Sequence, residues 1–209
     1  MDKGSIDYSL YLVTDRDLLG DKDLAATVEQ AIQGGVTVVQ IREKTLSTLE
    51  FFQMASVVKG VTDKYDVPLI VNDRADIALA IDAAGLHIGQ ADLPLVVARK
   101  LLGPNKIIGV SAATIEEAFQ AQAEGADYLG IGAIFPTSTK DDADSVSLAE
   151  LKSIKAKVTI PVVAIGGINS NNIQDVVKTG VEGAAVVSAI VAAAEPSEAA
   201  RNLIKLMRG

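Results

Sequence analysis

Residues 107–134 read IIGVSAATIEEAFQAQAEGADYLGIGAI. An apolar run at 107–110 gives way to an amphipathic stretch at 115–124, a glycine at Gly125, and a second apolar run at 128–134. The apolar runs are nearly continuous and do not alternate with polar residues, which is the pattern of strands buried on both faces of a parallel sheet. The stretch between them carries a capping threonine, Thr114, and closes on glycine, as a helix does.

The same unit recurs along the chain in both directions. Apolar runs lie at 10–13, 36–41, 69–71, 86–88, 107–110, 128–134, 162–165 and 184–189. Helical stretches lie at 23–33, 46–65, 75–83, 95–101, 115–124, 148–155, 173–178 and 198–206. Ser47, Thr114, Ser147 and Asn169 are expected as caps, and Gly34, Gly85, Gly103, Gly125 and Gly180 as helix ends. Eight strands alternating with eight helices predict an α/β fold, a single (β/α)8 TIM barrel over residues 1–209. An open doubly wound sheet is the competing arrangement; even spacing without a linker favours the barrel.

With 209 residues, the chain fits one such barrel. Aromatics make up only 4% of it, so Val, Ile, Leu and Ala are expected to fill the core. The net charge of −8 argues against nucleic acid as a partner, because such a surface repels a phosphate backbone. An anionic ligand then needs local cations, backbone amides or a metal ion. The chain contains no cysteine, which removes disulfides, thiolate metal sites and cysteine nucleophiles. Residues 1–8 do not resemble a signal peptide, and the weakly polar run 183–194 is too short to span a bilayer, which takes ~20 residues. The expectation is a cytoplasmic protein with no membrane partner.

Polar residues at strand C-termini face the mouth of a barrel. After the second strand, period-two alternation points Gln40, Arg42 and Lys44 to one side, suited to an anion. The third and fourth strands end in Asn72-Asp73 and in the turn containing Asp92. Either aspartate taken alone reads as a cap; paired on neighbouring strands they suit one Mg²⁺ with ligand phosphates. Ser111 follows the fifth strand. The long loop after the sixth, 136–146, brings Thr137, Ser138, Thr139 and Lys140 as a phosphate clamp or a lid. Gly166-Gly167 after the seventh strand and Ser188 on the eighth suit a second, backbone-bound phosphate. The one histidine, His87, is expected as a packed strand residue, so histidine acid–base chemistry has little support.

Six stretches carry a family resemblance: QIREK (40–44), VNDR (71–74), HIGQADLP (87–94), GIGAIFPTSTK (130–140), IGGI (165–168) and VS (187–188). In this order they resemble the thiamine-phosphate synthases. The resemblance implies that hydroxymethylpyrimidine diphosphate loses diphosphate and that the nitrogen of thiazole phosphate captures the pyrimidine methylene carbon. It implies that Gln40, Ile41, Arg42, Glu43, Lys44, Asn72, Ser111 and Lys140 hold the pyrimidine diphosphate, with Arg42, Lys44, Lys140 and Ser111 as candidate catalytic residues. Asp73 and Asp92 would ligate one Mg²⁺, and Thr137, Ser138, Thr139, Gly167, Val187 and Ser188 would seat the thiazole phosphate. Many relatives carry a histidine where this chain has Ala113. A thiazole tautomerase and a non-catalytic binding protein on the same barrel are the alternatives, and a homo-oligomer is left open.

Overall fold

The computed structural model describes residues 3–137 and 145–209. Eight strands form a closed barrel: β1 (Leu10–Val13), β2 (Val38–Ile41), β3 (Leu69–Asn72), β4 (Gly85–Ile88), β5 (Ile107–Ala112), β6 (Tyr128–Ile131), β7 (Val162–Ile165) and β8 (Gly183–Val186). Each pairs in parallel with the next, and β8 closes on β1 with Leu12 opposite Val186. The (β/α)8 barrel expected from the sequence is the observed fold.

The helices are α1 (Leu24–Gln33), α2 (Thr48–Lys64), α3 (Ala75–Ala80), α4 (Leu95–Leu102), α5 (Ile115–Ala123), α6 (Leu148–Lys155), α7 (Ile173–Val177), α8 (Ser188–Val191) and α9 (Pro196–Arg208). Three of them begin with reciprocal capping boxes, Ser47 with Glu50, Thr114 with Glu117 and Ser147 with Glu150. Each box satisfies orphan N–H groups at the helix start and fixes where the preceding loop ends.

Five local expectations are corrected. β2 begins at Val38, because the N–H of Val36 turns back to the carbonyl of Ala31 and seals α1. β6 ends at Ile131; beyond it Ile134 donates to the Ile165 carbonyl at the rim. β8 ends at Val186, and Ser188 opens the short helix α8, whose Ile190 and Val191 are buried beneath it. Ser188 is therefore a helix residue, and α9 supplies the final docking helix against α1. Gly85 is the first residue of β4, where a Cβ would stand 2.2 Å from the Ile107 carbonyl oxygen; close strand approach, not a helix end, demands glycine. Asn169 does not cap α7 either; Asn172 occupies that position, and its side chain makes no capping bond to the helix.

The apolar shell between barrel and helices is aliphatic, as expected, apart from Phe51. The barrel interior is not. Three of the four tyrosines point inward with Val13, Val38, Ile70, Ile107 and Val163: Tyr8, Tyr11 and Tyr128. The Tyr128 ring lies 4.9 Å from that of Tyr8 and 5.9 Å from that of Tyr11. This aromatic plug fills the N-terminal part of the interior and forms the floor on which the mouth rests.

Candidate active site

Above the plug, at the C-terminal ends of the strands, opens a cavity of about 430 Å³. Alternation along β2 directs Gln40 and then Arg42 and Lys44 into it, while Ile41 turns outward into the helix-facing core. Asn72 and Asp73 enter from β3, Asp92 from the turn after β4, and Ser111 from β5. Thr137 and Val187 complete the expected residues that line it. Two of those residues also line a neighbouring hollow of about 20 Å³ formed with Gly167 and Ser188, so the two spaces share a wall. Ser138, Thr139 and Lys140 lie outside the described residues.

Ile41 and Glu43 line neither space. The Glu43 carboxylate instead accepts hydrogen bonds from the backbone N–H of Lys44 (2.7 Å) and of Thr45 (2.8 Å) and from Arg16 Nε (2.9 Å). Burial would raise its pKa, but the Thr45 N–H, the Arg16 guanidinium and the Lys44 N–H outweigh that and hold it at about 2. Glu43 thus braces the loop that presents Arg42 and Lys44. Arg42 is positioned further by its N–H donating to Thr14 Oγ1 (3.1 Å) and by Asp15, 4.0 Å from its guanidinium.

Asp73 forms an ion pair with Lys44 and has a left-handed backbone, φ 61°. Asp92 accepts the N–H of Gly89 at 2.7 Å. Desolvation, and next a hydrogen bond with the Asp73 carboxyl, push the Asp92 pKa above the ordinary carboxylate value. Lys44, paired with Asp73, offsets only part of this mutual repulsion between the two carboxyls. Among the described residues, the cavity is lined by two cations, Arg42 and Lys44, against four carboxylates, Asp15, Asp73, Asp92 and Glu117. A divalent cation on these hard oxygen donors would offset that excess of negative charge, and Mg²⁺ commonly takes one or two carboxylates with ligand oxygens and water. Among the described residues, no cluster of three or more potential ligands exists, so the donor set fits such a ligand-completed site and no all-protein cage.

Gly167, at φ 61°, needs glycine: a Cβ would lie 2.6 Å from the Pro136 carbonyl oxygen. Its own carbonyl accepts from Asn169 Nδ2 (3.1 Å) and Asn172 Nδ2 (3.0 Å), which fix the peptide at the wall of the hollow. Sequence reasoning missed these two asparagines as site supports. It also missed Tyr11 and Tyr128, which line the cavity floor; their inward period along β1 and β6 was the available signal. His87 is a packed residue of β4, as expected, but its ring faces the same floor.

The fold and this two-part mouth define the class: a (β/α)8 barrel with a charge-lined cavity and an adjoining hollow at the C-terminal ends of its strands. The sequence profile of the family described as thiamine monophosphate synthase matches residues 10–190. A thiamine-phosphate synthase of Clostridium acetobutylicum is 56% identical over 98% of this chain and 97% of its own length. One from Clostridium tetani is 54% identical over 97% of each. The solved structure of a thiamine phosphate pyrophosphorylase from Pyrococcus furiosus superposes with a TM-score of 0.90, at 42% identity over 97% of this chain and 96% of its own. The chain belongs to the thiamine monophosphate synthase family, a family of transferases. Among the described residues, no helix is long and apolar enough to cross a membrane.

Proposed function

We propose that the protein is itself a thiamine-phosphate synthase, joining 4-amino-2-methyl-5-(diphosphooxymethyl)pyrimidine to hydroxyethylthiazole phosphate or its carboxylated form. The observation that carries the reading is one cavity holding Arg42, Lys44 and the paired carboxyls of Asp73 and Asp92, with the Gly167–Ser188 hollow sharing its wall. Two anion sites side by side suit two phosphorylated substrates that must meet.

In the reaction the C–O bond between the pyrimidine methylene and diphosphate breaks, and the thiazole nitrogen forms a C–N bond to that carbon. Breaking the first bond ahead of the second leaves a pyrimidine cation stabilised by its amino group. Arg42 and Lys44 hold the departing diphosphate through charge-assisted hydrogen bonds, joined by Lys140 from the loop beyond Thr137. The chemistry that Mg²⁺ supplies when held by Asp73 and Asp92 is neutralisation of diphosphate charge. Gln40, Asn72 and Ser111 orient the pyrimidine ring over the floor, and the backbone at Gly167, Val187 and Ser188 seats the thiazole phosphate with Thr137, Ser138 and Thr139. The protein's share is alignment and electrostatics.

The test is to incubate purified protein with Mg²⁺ and both substrates, following thiamine phosphate and diphosphate. Product dependent on both substrates and on Mg²⁺ supports the reading. No product where a known synthase turns over overturns it.

A further inference from the structure

Beneath the cavity runs a row of hydrogen bonds whose middle members, Tyr11, Tyr128 and His87, have no part in the reaction as proposed. Gln40 Nε2 lies 2.9 Å from Tyr11 Oη, which lies 2.7 Å from Tyr128 Oη. Tyr128 Oη is 2.9 Å from His87 Nδ1, and His87 Nε2 is 2.9 Å from Ser111 Oγ. Five side chains from β1, β2, β4, β5 and β6 are strung across the interior, four of them buried. Two glycines clear the space. A Cβ at Gly109 would fall 2.1 Å from Tyr128 Cζ, and one at Gly130 would fall 3.0 Å from His87 Cε1.

The row has a direction, and one end sets it. An amide nitrogen only donates, so Tyr11 accepts from Gln40 and has its single proton left for Tyr128. Burial keeps both phenols protonated by raising their pKa values. With Tyr128 accepting from Tyr11, its own proton is available to His87 Nδ1, a contact whose direction depends on the histidine tautomer. A histidine that accepts at Nδ1 is neutral with its proton on Nε2, and that proton goes to Ser111 Oγ. The Ser111 hydroxyl proton is then left for the cavity. At the other end, Gln40 Oε1 bonds to no protein atom among the described residues. No buried side-chain polar atom among the described residues lacks a partner, so this oxygen opens to the cavity.

We infer that Gln40, Tyr11, Tyr128, His87 and Ser111 form a directional hydrogen-bond chain that locks His87 as its Nε2–H tautomer and sets the polarity of the cavity floor, with a proton donor at Ser111 and an acceptor at Gln40. Tyr11, Tyr128 and His87 are positioning residues. One acceptor beside one donor complements an edge bearing an N–H and a bare ring nitrogen, as a 4-aminopyrimidine has; a 4-oxopyrimidine presents the reverse. The inference rests on the synthase reading for the identity of the ligand alone.

His87 is the single histidine of the chain, so the ring nitrogens of ¹⁵N-histidine-labelled protein give one unambiguous pair of signals. At about pH 8 the long-range ¹H–¹⁵N spectrum should show the proton on Nε2 and a bare Nδ1. Tyr128→Phe, and Tyr11→Phe two bonds away from the ring, should both populate the second tautomer. In either variant the KM for the pyrimidine diphosphate should rise roughly tenfold with that for thiazole phosphate unchanged, a split that general loosening of the barrel would not produce. A proton on Nδ1 in the wild type overturns the inference and needs no variant to fold. Both variants keeping the wild-type tautomer would overturn it as well. Either result leaves thiamine phosphate formation as a separate question, and an Nε2–H spectrum without product removes the synthase reading while the chain stands.

Discussion

Replacing Glu43 by glutamine tests whether the loop bearing Arg42 and Lys44 is held from behind. The wild-type side chain is 5% exposed, and it gathers three backbone N–H groups, the Thr45 hydroxyl at 3.1 Å and the Arg16 guanidinium. Glutamine keeps the shape but has one acceptor oxygen, and it turns an NH₂ group toward donors. Converted in full, the gap between the ordinary 4.5 and about 2 corresponds to roughly 3 kcal/mol. Arg16 is 44% exposed and the loop stands at the rim, so solvent screening reduces this to about 1–2 kcal/mol. For a chain of this size that lowers the melting temperature by roughly 2–8 °C. The pH dependence has a definite sign. The folded carboxyl lies below its unfolded value, so its stabilisation is complete above about 4.5 and is lost as pH falls toward about 2. Thermal unfolding followed by circular dichroism, wild type against Glu43→Gln, should show the full gap at about pH 7 and less than half of it at about pH 3. A variant melting within about 1 °C of wild type at neutral pH would refute the bracing role, and so would a gap that does not shrink on acidification.

Gly109→Ala places a methyl group 2.1 Å from Tyr128 Cζ; overpacking of that kind should cost about 3 kcal/mol and appear as a large fall in melting temperature, and a variant as stable as wild type would mean the aromatic plug yields freely. Gly167→Ala combines φ 61° with a Cβ 2.6 Å from the Pro136 carbonyl. In steady-state kinetics it should raise the KM for thiazole phosphate roughly tenfold and leave that for the pyrimidine diphosphate alone; equal effects on both would separate the hollow from the thiazole site. Asp92→Ala should abolish Mg²⁺-dependent turnover while calorimetry still detects thiazole phosphate binding; surviving turnover would reduce Asp92 to the turn residue that its bond to Gly89 already makes it.

The barrel was legible because every strand is buried on both faces, which writes eight nearly continuous apolar runs into the sequence. Strand ends were less legible: Ser188 continues an apolar run yet opens a helix, since Val187 departs from extended backbone at φ −118°, ψ −87°. Gly85 reads like any helix-ending glycine, and only the Ile107 carbonyl across the sheet reveals its purpose. At the site, Gln40, Arg42, Lys44, Asp73, Asp92 and Ser111 could be placed at the mouth from strand phase alone, and the cavity gathers them. Strand phase carried the tyrosine floor as well, but composition masked it. With aromatics at 4% of the chain, composition pointed to an aliphatic core, while three tyrosines from distant positions converge inside the barrel.

The stretch at 40–44 shows why a motif match and a geometric reading answer different questions. All five residues belong to the matching segment, but alternation splits them. Gln40, Arg42 and Lys44 face the cavity, whereas Ile41 is fully buried against the helices and Glu43 ties down the backbone. The outward pair carries no chemistry on its own, yet the inward three have fixed positions only because the outward pair is anchored. Substitutions within one motif should therefore separate into two classes. Changes at Ile41 and Glu43 register first in thermal stability, and changes at Gln40, Arg42 and Lys44 register first in substrate affinity or rate. Gln40 is the informative member of the second class, because its amide faces the cavity with one end and the Tyr11 hydroxyl with the other. A substitution there alters what the floor offers to a substrate before it alters how well the barrel holds together.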